Sequence, residues 1–87
     1  MRAIWKYPLT VTERQVIKMP IGAIVRSLQL QAGLPTLWVE VDTNNPSEQR
    51  QFVIRGTGHP LNTMNEVYVG TWQQPPLVWH LMEIRHD

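Results

Sequence analysis

The densest set of groups able to do chemistry is the string Arg55-Gly56-Thr57-Gly58-His59-Pro60. Two glycines one residue apart let backbone amides turn toward a common point, and such a concavity binds anions. Arg55 adds a permanent fork of donors, Thr57 a hydroxyl and His59 a titratable ring. Together these groups suit a phosphate or a carboxylate. The string also reads as a sharp connection that needs two flexible backbone positions, because glycine pairs commonly mark loops. It is not a Walker loop, which closes on Gly-Lys-Ser or Gly-Lys-Thr, nor a dinucleotide fingerprint, which sets three glycines before a helix.

The remaining reactive residues are scattered. His59, His80 and His86 are not spaced as metal ligands, and the absence of cysteine removes thiolate sites and disulfides. No metal or other cofactor is expected. His80, between Trp79 and Leu81, reads as a hydrogen-bonded structural imidazole. Ser27 and Ser47 lie outside any nucleophile elbow. Glu40 and Asp42 form the one close acid pair, about 6.6–7 Å apart if they share a strand face. His59 with Glu40 or Asp42 would make a small hydrolase, the least supported reading; the chain is expected to be non-enzymatic.

Trp38 stands apart from these. In Leu37-Trp38-Val39-Glu40-Val41-Asp42 the aliphatic residues take one face and Trp38, Glu40 and Asp42 the other. An indole on the polar face must be covered by a loop, a ligand or a second subunit, and covering it is worth about 2–3 kcal/mol. Trp38 therefore points to a homo-oligomer or a binding surface.

Strict alternation of this kind marks a half-buried antiparallel strand. Residues 23–31 and 36–42 are predicted to form a hairpin around Gly33, with Ile24, Leu28 and Leu30 on its apolar face and Pro35 outside the ladder. Further strands are predicted at 3–7, 14–19, 50–55, 67–72 and 77–84. Gln73-Gln74-Pro75-Pro76 would turn the last pair so that Trp72 meets Trp79. Trp5 and Tyr7 share a face with Ala3 and Leu9 and are predicted core. Single helical turns fit 46–49 and 61–66. Strands spaced by about ten residues and punctuated by Gly and Pro give an all-β fold: a small antiparallel β-sandwich or partly open barrel of about six or seven strands.

Composition narrows the class. The 87 residues make one domain, 1–87. A net charge of +1, with 17% charged residues, is too balanced for the basic excess that displaces counterions, so no DNA or RNA partner is expected. An apolar share of 43% excludes disorder. No apolar run reaches the roughly 20 residues of a membrane span, and no signal-peptide core follows Met1, so a cytoplasmic protein without a membrane partner is expected.

Ala3 to Tyr7, Val16 to Pro20, Leu37-Trp38-Val39, Gly56-Thr57-Gly58-His59-Pro60, Tyr68-Val69-Gly70-Thr71 and Val78-Trp79-His80 together resemble a family of short proteins of unassigned function. Members are encoded by tailed bacteriophages and prophages, and the likeness runs from Ala3 to about Glu83. The family offers no catalytic residues to carry over. It implies phage company, where small accessory proteins often inhibit host systems, including immunity. The expectation is a phage accessory protein in the bacterial host cytoplasm that captures a host protein or a small anionic, nucleotide-type signal. Arg55, Thr57, Gly58 and His59 would hold phosphate while Trp38 or Tyr68 stacks on a base. The alternative is a virion or assembly component making structural contacts only.

Overall fold

The computed structural model describes residues 1–61 and 65–85. Within them the chain forms seven strands and no helix: β1 (Arg2–Pro8), β2 (Arg14–Pro20), β3 (Ile24–Gln31), β4 (Leu34–Asp42), β5 (Ser47–Gly56), β6 (Glu66–Gln74) and β7 (Leu77–Ile84). Every pairing is antiparallel, in a three-stranded sheet ordered β1-β4-β3 and a four-stranded sheet ordered β2-β5-β7-β6. The sheets pack against one another without closing into a barrel. This is the small antiparallel sandwich that the alternation predicts.

The alternating aliphatics of β4 supply its heart. Leu37, Val39 and Val41 are fully buried and share one core with Met19, Phe52, Ile54, Trp72 and Leu81 from the other sheet. Burying an aliphatic or phenyl side chain is worth about 1.5–3 kcal/mol, so this layer carries most of the fold's cohesion. Trp72 pairs with Trp79 across the final hairpin, as expected, and both pack into this layer.

Local departures have local causes. The β3–β4 loop is only Ala32 and Gly33, both at positive φ (50° and 80°), which is the type I′ geometry that matches strand twist. Pro35 consequently lies inside β4, two residues earlier than expected. Its missing N–H forgoes one bond at the very end of the ladder, where its neighbour is Leu9, just beyond the end of β1, and Leu9 N still donates to Pro35 O at 2.8 Å. A bulge between Val25 and Ser27 absorbs Arg26 and flips the phase of β3. Val25 and Leu28 therefore reach the core, while Ile24 is exposed.

The helical turn expected at 46–49 is replaced by strand, since Ser47, Glu48 and Gln49 pair with Pro20, Met19 and Lys18. Half of the turn expected at 61–66 lies outside the described residues, as does His86; Glu66 begins β6. Tyr7 packs against the core, but Trp5 remains 42% exposed because β1 is an edge strand.

Candidate functional site

Phe52, Ile54, Trp72 and Leu81 point into the core, so Val53, Arg55, Tyr68, Thr71, His80 and Met82 must lie on the outer face of the four-stranded sheet. The register places His80 between Arg55 on β5 and Thr71 on β6. Both ring nitrogens are hydrogen-bonded: Nε2 to Thr57 Oγ1 and Nδ1 to Thr71 Oγ1, each at 2.8 Å. Thr71 Oγ1 also bonds the Tyr68 hydroxyl at 2.6 Å. A continuous line of polar groups thus runs from the Gly loop to Tyr68, which fixes the phenol although the residue is 60% exposed. His80 is the hydrogen-bonded imidazole that its sequence setting suggests.

Arg55 is not a free cation. Its Nε and Nη2 donate to Glu66 Oε1 and Oε2, each at 3.0 Å, with the two side chains 6% and 0% exposed. Glu13 adds a weaker contact at 3.5 Å. The hydrogen bonds to Glu66 push the Arg55 pKa above its ordinary value, against the opposing effect of burial. The fork expected to face a ligand is filled by this chain's own carboxylate.

The Gly loop is likewise closed on itself. His59 N donates to Gly56 O at 3.0 Å, and Gly58 has φ +87°, the geometry of a type II turn with glycine at its third position. Gly56 N donates to His59 Nδ1 at 3.2 Å, and a Cβ at Gly56 would stand 2.8 Å from the imidazole. Thr57 N donates to Val78 O. The two glycines thus serve turn closure, and the amides of Gly56, Thr57 and His59 all have partners within the chain.

Trp38 is half-buried on the outer face of the other sheet, between Lys6 and Ser27, and does not join this group. Its neighbour Glu40 is held by Arg2 and Arg26, and Asp42 by Asn44 N and the N-terminus. His59, in the loop after β5, and these carboxylates, on β4 of the other sheet, therefore have separate partners. Among the described residues no cluster of metal-ligating side chains occurs, and no helix is long and apolar enough to cross a membrane.

A second polar centre lies where the sheet edges β3 and β6 meet. Arg50 Nε and Nη2 donate to Glu83 at 2.6 and 2.8 Å, and Arg50 Nη1 donates to Ala23 O at 2.7 Å. Arg85 reaches the same carboxylate at 3.2 Å with its own side chain 59% exposed. Burial alone would raise the Glu83 pKa; the hydrogen bonds and charge of Arg50, aided by Arg85, outweigh it and hold the group below the usual carboxylate range. Two clefts flank this centre. One of about 420 Å³ includes Glu48, which balances the charges. The other, of about 340 Å³, sets Arg50 and Arg85 against the single carboxylate of Glu83, with Val69, Ile24 and Val25 as its apolar lining and Tyr68, whose side chain the register puts on the outer face of β6, at its rim.

Tyr68 is the one expected site residue that lines this second cleft. Arg50, Glu83 and Arg85 were not expected, although a signal exists. Arg50 is two residues before Phe52 and Glu83 two after Leu81, so opposite charges sit on the core-facing phase of two strands, where burial demands pairing. Thr71 was also legible, because a 72–79 pairing sets 71 opposite 80.

Fold and site together define a small two-sheet β-domain with a cationic cleft at the open seam between its sheets, Tyr68 standing at the rim. The chain belongs to the family described as Domain of unknown function (DUF7352), whose family model matches residues 1–87. No curated protein and no solved structure matches it.

Proposed function

We propose that this is a non-enzymatic phage accessory protein of the bacterial host cytoplasm that captures a small anionic, nucleotide-type ligand at the seam cleft. The carrying observation is the cleft's unequal charge: two guanidiniums face one carboxylate beside an exposed, hydrogen-bonded tyrosine. Arg85 offers most of its fork to a phosphate, since only Nη2 touches Glu83. The Tyr68 ring offers a stacking surface, worth about 1–3 kcal/mol per base. A volume of about 340 Å³ falls within the range of roughly 300–1,000 Å³ typical of small-ligand pockets. The phage setting rests on the family resemblance read from the sequence.

Calorimetric titration of the full chain with mono-, di- and cyclic nucleotides tests the reading. One of them is expected to bind and to return chemically intact after heat denaturation of the protein. Arg85→Ala and Tyr68→Ala are expected to weaken that binding without moving the thermal midpoint. No heat with any nucleotide, or unchanged affinity in both variants, overturns the proposal. A degraded ligand would instead indicate an enzyme, and abundance in purified virions a structural component.

A further inference from the structure

We propose that β1 is a self-pairing edge through which two copies of this chain join their three-stranded sheets into one continuous sheet. The inference is independent of the seam cleft and rests on four observations about the edges.

First, β1 has an unused row of backbone groups. Thr43 N donates to Met1 O and Leu9 N to Pro35 O, both at 2.8 Å. Odd-numbered residues therefore face β4 and alternate with even ones, leaving the N–H and C=O of Ile4 and Lys6 directed away from the sheet. Second, large apolar side chains flank this row on both faces: Ile4 is 56% exposed on the outer face and Trp5 42% on the inner.

Third, the other edges are blunted. β3 and β6 each carry a bulge and lie against one another, with Gly70 touching Leu28. On β2 the outer face carries Arg14, Val16 and Lys18 much as β1 carries Arg2, Ile4 and Lys6, but its inward Ile17 and Met19 are already packed in the core, which leaves no inner apolar side chain like Trp5 to cover.

Fourth, β1 selects its own register. A two-fold pairing centred on Trp5 sets Ile4 opposite Lys6 of the second copy and brings the two indoles together at a non-hydrogen-bonded position. Moving the centre to Ile4 would set Arg2 against Lys6, like charges directly opposed, which disfavours it. In the Trp5-centred register the backbone groups of Ile4 and Lys6 meet their counterparts, and each exposed indole is covered by the other. The two-fold axis makes the contact closed, so assembly stops at two.

The test is sedimentation equilibrium of the full chain at micromolar concentration, with two variants that spare the β1–β4 ladder. Ile4→Pro removes an N–H that points only to the free edge, and Trp5→Arg sets like charges on the axis. A dimeric parent is expected, with self-association weakened roughly thirtyfold or more in each variant, as for loss of an aromatic anchor, and with far-ultraviolet dichroism unchanged. Because the chain lacks cysteine, register can be read by mild oxidation. A mixture of Ala3→Cys and Tyr7→Cys chains is expected to give the mixed disulfide, since those positions face each other at about 4.5 Å between Cα atoms. A monomeric parent, a dimer indifferent to both Ile4→Pro and Trp5→Arg, or cross-linking of Ala3→Cys with itself overturns the proposal.

Discussion

Arg55→Ala is expected to damage the fold. The arginine donates paired hydrogen bonds of 3.0 Å to Glu66, with 6% and 0% of the two side chains exposed. Removing the guanidinium takes both of these hydrogen bonds and the opposite charge away from a buried carboxylate, a defect that costs about 3–5 kcal/mol. Glu13 cannot compensate, being another carboxylate. Domains of this size have about 5–15 kcal/mol of total stability, and each kilocalorie moves the midpoint by about 4–8 °C. The expected loss is therefore at least about 12 °C, with the urea midpoint falling in step. Replacing both partners, as Arg55→Met with Glu66→Leu, should recover most of the loss because no charge is left buried. Urea titrations of both singles and the double, followed by far-ultraviolet dichroism, complete a mutant cycle. An Arg55→Ala variant within about 1 kcal/mol of the parent would refute the reasoning, since that is how solvated pairs behave.

Two further outcomes follow from the seam. Glu83 titrates below the usual carboxylate range when folded, so the unfolded chain binds the extra proton and stability rises with pH in that window. Its contribution is complete above the unfolded carboxylate value near 4.3 and is lost as pH falls through the folded value; Glu83→Gln should flatten that acid limb in thermal melts at stepped pH. Gly70→Ala sets a Cβ 3.0 Å from Leu28 Cβ and Cδ2 and should destabilise by about 1–3 kcal/mol through overpacking, read in the same urea assay.

Much of the architecture is legible along the chain because strand phase depends on nearest neighbours. Leu37, Val39 and Val41 declare the buried face of β4, and Trp72 with Trp79 declares the last hairpin. What escaped depends on distant partners. A bulge is invisible until a facing strand counts residues, so Ile24 and Val25 exchanged faces. A proline is tolerated inside β4 only because β1 ends where the missing donor would point. The Gly-Thr-Gly-His string shows that two glycines are needed without showing why, and turn closure against His59 accounts for both. Arg55 advertises a charge, but the acid that satisfies it lies on another strand.

The seam explains why the domain has a cleft between its sheets. Arg26 and Val69 are the extra residues of bulges on β3 and β6, the two strands that face one another between the sheets. A bulge leaves a residue unpaired and bends its strand, so these edges approach closely enough for Gly70 to touch Leu28 yet share no ladder. Had both been regular, their pairing could join the sheets along this side and fill the space beside Tyr68. Instead the gap is lined by side chains, and Arg50 and Glu83 seal the core beneath it with charges that must be paired because they are buried. Arg85 lies just beyond the end of β7, outside that constraint, with its fork turned largely to solvent. The cationic excess of the cleft thus follows from strand length: the buried arginine is matched by Glu83, and the arginine past the strand end adds a second positive charge that burial does not oblige the chain to match.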